Sequence, residues 1–322
     1  MTLAPAYRRI SQRLQEPLRR IRELSQKPTL DRNDTAEMKK NLAMVRQGIV
    51  GFLNERMQRN PVRRKTTRDS YLNWFRKYFG HPAPYMPKET AETATIDWKC
   101  NANTQAFIEL LGGCGIRITA QLMPGHIVPI IRTNSGKEYM ADTRGIFVKQ
   151  SYERRLLEAT KSINKNGTGN TPIERDAKRF KLPGAPQPRQ YMKNHFIDLG
   201  IKGAVATAHL HLGLGYLKEE NFGKSLSHLK EAIRICPNHL TAKIALASAY
   251  RLMKEYHEAD STITNLVAEH SDSPEAHLEL ALLRHHQGRP EDARRAGNKA
   301  HALNRMVWYD SQYRIVTERS PP

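Results

Sequence analysis

The sequence predicts an α+β domain, introduced by basic helices and followed by an all-α repeat array. Apolar residues alternate over 116–122, and two further apolar runs flank a turn at 133–137, as paired strands require. From residue 206 to 307 a 34-residue period repeats three times without a gap. A Gly-, Asn-, Thr- and Pro-rich stretch separates these two kinds of sequence. The expected divisions are a basic helical extension at 1–66, the α+β core at 67–160, a linker at 161–189 and repeats at 190–322.

The basic segment comes first. The chain of 322 residues carries a formal charge of +20, and residues 1–70 hold 17 Lys and Arg against 7 Asp and Glu. Such a field attracts polyanions, so RNA, DNA or an acidic protein is an expected partner of the N-terminal helices. Ile10, Leu14, Leu18, Ile21 and Leu24 recur at helical spacing, with a break expected at Pro17. A second helix is expected from about Asp34 to Asn60, where Pro61 ends it. The cluster 61–65 reads as a basic connector, Ser70–Phe79 as a third helix, and 80–95 as irregular chain.

Three cysteines make no disulfide framework, and no two stand at metal-ligand spacing. A reducing, cytoplasmic setting without metal or cofactor is therefore the expectation. No apolar run approaches the ~18 residues of a membrane span.

The core holds the chemistry. Asn101–Leu111 reads as a helix ended by Gly112-Gly113, with Cys100 in its first turn. Free backbone N–H groups at a helix start favour an anion, here a thiolate. His126–Arg132 and Glu138–Asp142 flank Thr133-Asn134-Ser135-Gly136-Lys137, which suits a three-residue hairpin loop with Gly136 left-handed. In that register Asp142 lies opposite Val128, and His126 is two residues farther along the same face. Diagonal neighbours of this kind are ~7–8 Å apart at Cα, within reach of an imidazole and a carboxylate. Cys100 as nucleophile, His126 as base and Asp142 as orienter are the parts of cysteine-dependent acyl transfer. The Cys100 N–H is a candidate oxyanion donor, with the Trp98 indole beside it. In the alternative, Cys100 and His126 are packed residues, Asp142 closes a turn, and the domain is a scaffold.

The spacing of Cys100, Gly115-Ile116, His126 and Asp142-Thr143 resembles the core of the transglutaminase-like superfamily. Met123-Pro124-Gly125-His126 and Asp142-Thr143-Arg144-Gly145 resemble a bacterial branch that joins this core to C-terminal tetratricopeptide repeats. The resemblance implies a papain-like α+β fold with Cys100, His126 and Asp142 as its triad. The implied activity is that of a cysteine amidohydrolase or acyltransferase acting on a protein or peptide.

The 34-residue units at 206–239, 240–273 and 274–307 look like three such repeats. By that resemblance the inner surface comes from Leu210, Leu214 and Lys218, then Ile244, Ser248 and Arg251, then Leu278, Leu282 and His285. An apolar groove with basic edges, taking a protein or peptide ligand, is the expectation. The 190–199 segment and the tail after Met306 are expected to cap the stack, because an uncapped repeat exposes its apolar face.

Overall fold

A computed structural model describes residues 11–58, 98–142, 144–167 and 171–306. The expected third helix at Ser70–Phe79, the connector 61–65, the approach 80–95 and the tail beyond Met306 lie outside these residues. Helix α1 spans Gln15–Gln26 and α2 spans Arg32–Gln58. Pro17 sits in the first turn of α1, where its missing N–H interrupts nothing; the break falls earlier, at Leu14. Asp31 opens α2, its Oδ1 accepting the Asp34 N–H at 2.7 Å. Met38, Leu42, Val45 and Ile49 form the buried stripe of α2, and Ile21 and Leu24 that of α1.

Helix α3 (Trp98–Gly113) leads into strand β1 (Ile118–Met123), β2 (His126–Arg132), β3 (Glu138–Asp142) and β4 (Gly145–Val148). The described sheet has five strands in the order β4-β3-β2-β1-β5, where β5 is Ile197–Gly200. Strands β2 and β3 are antiparallel, with Ile130 opposite Met140 and Arg132 opposite Glu138, the register read from the Asn-Ser-Gly loop. Gly136 is left-handed at φ 79°, as that loop needs. Strand β2 is buried on both faces except at its end, and α3 packs upon it.

The basic helices are no free extension. The hairpin tip is tied to them: Asn134 N–H donates to the Ser25 carbonyl at 2.8 Å, and Lys137 Nζ to the Leu30 carbonyl at 2.7 Å. Their apolar stripes need cover, and they share one compact unit with the hairpin. That unit draws on Met1–Gln121, His126–Tyr152 and Asp198–Val205.

The second unit draws on Leu122–Gly125, Glu153–Ile197 and Ala206–Pro322. Helix α4 (Lys149–Asn166), α5 (Pro172–Arg179), a short 3-10 turn (Leu182–Gly184) and α6 (Pro188–His195) fill the stretch expected to be a loose linker. The prolines there start helices rather than prevent them. Pro172 and Pro188 stand at the first helical position, where no N–H is required. Thr171 and Glu174 complete a reciprocal cap on α5.

Three helical hairpins follow: α7 (Gly203–Lys218) with α8 (Phe222–Ile235), α9 (Leu240–Leu252) with α10 (Tyr256–Glu269), and α11 (Pro274–His286) with α12 (Pro290–Leu303). Each first helix ends alike. Asn221 N–H bonds the Tyr216 carbonyl, Glu255 the Tyr250 carbonyl and Arg289 the Arg284 carbonyl, at 2.9, 3.0 and 2.9 Å. The residues before them, Glu220, Lys254 and Gly288, are left-handed at φ 57°, 62° and 71°. Backbone geometry therefore repeats in step with the 34-residue period. The cores interlock neighbours: one joins Leu210, Leu229 and Ala245, another Leu240, Ile263 and Leu283, a third Leu278, Leu282 and Ala296.

Candidate active site

Cys100 occupies the first turn of α3, as expected. Pro124 and a left-handed Gly125, at φ 65°, turn the chain between β1 and β2 and make His126 the first residue of β2. Asp142 is the last residue of β3. The β2–β3 register places His126 and Asp142 diagonally on one face, and their side chains lean together: Nε2 lies 3.4 Å from Oδ2. All three residues are buried, with Cys100 7%, His126 6% and Asp142 1% exposed.

Electrostatics ties the three groups. Burial pulls the His126 pKa down, but the Asp142 carboxylate and the Cys100 side chain, both acting on the ring, outweigh it and push it up to about 9. Burial likewise raises the Asp142 carboxyl, yet His126 and Arg144 hold it well below the usual carboxylate range. An imidazole near a thiol and a carboxylate can take up and store the proton that the thiol gives up on becoming a thiolate. Cys114 is half-buried, and burial pushes its thiol up.

Sequence reading gave three nearby residues no role. Arg144 reaches the same Oδ2 of Asp142 from its Nε at 2.9 Å and its Nη2 at 2.5 Å, so His126 shares its partner. Thr104 Oγ1 lies 2.8 Å from the Cys100 carbonyl and 3.2 Å from the Ile127 carbonyl, tying the start of α3 to β2. Asn103 Nδ2 donates to the Ala141 carbonyl at 3.4 Å, one residue before Asp142. Both belong to the polar run 101–105 at the start of a helix whose later turns are largely apolar, which is the signal that could have found them. Asn101, beside Cys100, is 1% exposed, and its side-chain amide has no hydrogen-bond partner among the described residues. The side chain of Trp98 lies outside what is described. Among the described residues no group of three or more His, Cys, Asp or Glu could hold a metal ion.

The expected groove residues are placed unequally. Leu210, Leu278 and Leu282 lie in the packed cores, because these positions face the neighbouring helices. Arg251 is buried too, paired with Glu279 at 2.6 Å. Leu214, Ile244 and Ser248 are half-buried, and Lys218 and His285 are exposed. His285 and His286, adjacent on α11, have ring centroids 6.1 Å apart.

No family model matches the chain. No curated protein matches it either. A solved structure titled "MamA RS-1 ArsTM double mutant" is similar over 52% of this chain and 89% of its own, at 14% identity and a TM-score of 0.28. Among the described residues no helix is long and apolar enough to cross a membrane.

Proposed function

We propose that the first unit is a cysteine-dependent amidohydrolase or acyltransferase of transglutaminase-like type. The observation that carries this is the buried His126 ring, 3.4 Å from the Asp142 carboxylate and influenced electrostatically by both Asp142 and Cys100. In the proposed reaction the Cys100 thiolate attacks an amide carbon, forming a thioester, while the His126 imidazolium gives its proton to the leaving amine. Neutral His126 then takes a proton from water or an acceptor amine, which attacks the thioester and releases Cys100. Asp142 holds the ring, and the Cys100 N–H at the helix start faces the developing oxyanion.

The helical hairpins are read as tetratricopeptide repeats that recruit the protein or peptide substrate. The 34-residue recurrence of helix ends and left-handed residues supports this. Lys218, Ser248 and His285 are the expected groove residues with side chains left for such a ligand. A polyanion at the N-terminal helices stays a proposal. Two of their arginines are already engaged, Arg19 with Glu16 and Arg20 with Glu37.

Burial of Cys100 and His126 favours a second reading, a scaffold whose site no substrate enters. Iodoacetamide labelling at pH 6, mapped by mass spectrometry, separates the two. A catalytic Cys100 labels faster than Cys114 and Cys236, and His126→Ala removes the difference. Equal or slower labelling of Cys100 leaves the scaffold.

A further inference from the structure

A hollow of about 610 Å³ lies in the second unit, walled by α4, the 185–190 segment and Arg305. Its size is that of a site for a small organic ligand, ~300–1,000 Å³. Four cations line it, Arg154, Lys161, Arg189 and Arg305, against one carboxylate, Glu158. None of the four has an ion pair or side-chain hydrogen bond among the described residues. Other cations of this unit are paired, as Arg251 is with Glu279 and Arg284 with Asp260, whereas exposed ones such as Lys254 and Lys299 stand singly among the described residues. What sets these four apart is that they gather around one concavity. Unmatched like charges around a concavity focus a positive field and draw in an anion.

The backbone adds donors. The 187–190 lining is the start of α6, where Gln187 provides no side-chain cap and Pro188 has no N–H. The first N–H used within the helix is that of Tyr191, bonded to the Gln187 carbonyl at 3.0 Å. The N–H groups of Arg189 and Gln190 therefore remain for a ligand, in the manner of helix starts that bind phosphate. The chain beside Arg305 is anchored: Asn304, fully buried, donates to the Lys181 carbonyl at 3.0 Å and accepts from the Met306 N–H at 2.9 Å. The remaining wall includes Leu157, Ala185 and Pro186, an apolar surface for the body of the ligand.

We propose that this hollow binds a small organic phosphate, with its phosphate groups among the arginines and the start of α6 and an apolar or aromatic body against Leu157 and Pro186. The site is separate from Cys100 and does not depend on the proposed chemistry there.

The test is calorimetric titration of the full chain with ATP, inorganic pyrophosphate, adenosine and a 20-nucleotide single strand. ATP is expected to bind once per chain, pyrophosphate more weakly, and adenosine not detectably. Arg189→Ala and Arg154→Ala are each expected to weaken ATP about tenfold or more, the loss of a charge-assisted contact. Lys299→Ala, an exposed cation outside the hollow, should change nothing, and thermal melting checks that each variant is folded. ATP binding unaffected by Arg189→Ala in a folded protein overturns the site. So does binding at several equivalents that every cation variant reduces alike, which is diffuse attraction. Binding of the oligonucleotide without binding of ATP or pyrophosphate assigns the charge to nucleic acid and overturns the proposal as well.

Discussion

Asp142 Oδ2 serves two cations, His126 at 3.4 Å and Arg144 at 2.5 Å, and the shorter contact belongs to the residue farther from the chemistry. Arg144→Ala should therefore strengthen the His126 contact. Without the guanidinium, the imidazolium loses a neighbouring like charge and gains sole use of the carboxylate, so the His126 pKa should rise above about 9. The Asp142 pKa should also rise, having lost one of the two cations that depress it. Histidine side-chain NMR titration reads the first shift; a His126 pKa that falls would mean that Arg144 orders the pair instead of competing for it. Asn101 makes a separate point. A buried amide without partners costs about 1–3 kcal/mol, so Asn101→Leu should stabilise the protein by about 1 kcal/mol in urea titration. At this scale the pairing of His126 with Asp142 was legible, because Asn134-Ser135-Gly136 sets a register that carries both residues to one face. Arg144 was not legible as a competitor. It lies just beyond β3, and nothing in its spacing says that the chain there turns its side chain back onto Asp142.

Strand pairing with loop chemistry read correctly, whereas segments rich in proline did not. The proline content of 161–189 points to a linker, but Pro172 and Pro188 each stand at a helix start where the fixed φ helps. Thr171 with Glu174 was the missed sign of a capping box, and Thr171→Ala is expected to cost about 1 kcal/mol. Strand β4 and strand β5, four residues each, are too short to show alternation, so the sequence pattern could not call for them. The helical hairpins were legible because their period is visible in Ala, Gly and Leu. Their left-handed turn residue supplies a sharper test. Gly288 fills that position without strain, while Glu220 and Lys254 hold φ 57° and 62° with a Cβ in place. Left-handed backbone costs a side-chain residue roughly 1–2 kcal/mol, part of which glycine returns as unfolded-state entropy. Lys254→Gly should thus raise stability by about 0.5–1 kcal/mol, measured as a higher urea midpoint at unchanged slope. The buried pair between α9 and α11 should behave oppositely. Arg251→Ala leaves Glu279 charged and unpaired at 6% side-chain exposure, a loss of about 3–5 kcal/mol.

Across the whole molecule the two units should answer pH in opposite senses, because their buried histidines are held in opposite charge states. In the first unit His126 is raised to about 9 from an ordinary 6.5. Its contribution is complete below about 6.5 and is lost as pH climbs through 9. Asp142, depressed, keeps its contribution above its ordinary value of 3.8 and loses it only on stronger acidification. Between pH 5 and 7 this pair is therefore intact. In the second unit burial pushes His239 and His209 down to about 4. His239 lies 3.3 Å from Thr207 Oγ1, and His209 Nδ1 meets His228 Nδ1 at 3.2 Å, a contact that needs one of those nitrogens unprotonated. The unfolded chain binds protons to these rings from about 6.5 downward, the folded chain only near 4, so stability falls as pH drops through that window. Hydrogen exchange at pH 7 and pH 5, corrected for intrinsic rates, should find protection lost in α7–α12 while α3, β2 and β3 retain theirs. His239→Gln keeps a hydrogen-bonding group toward Thr207 but cannot titrate, so it should flatten the response of the helical hairpins. If both units lose protection equally at pH 5, and His239→Gln changes neither, then carboxylates spread through the chain govern its acid response and the buried histidines do not.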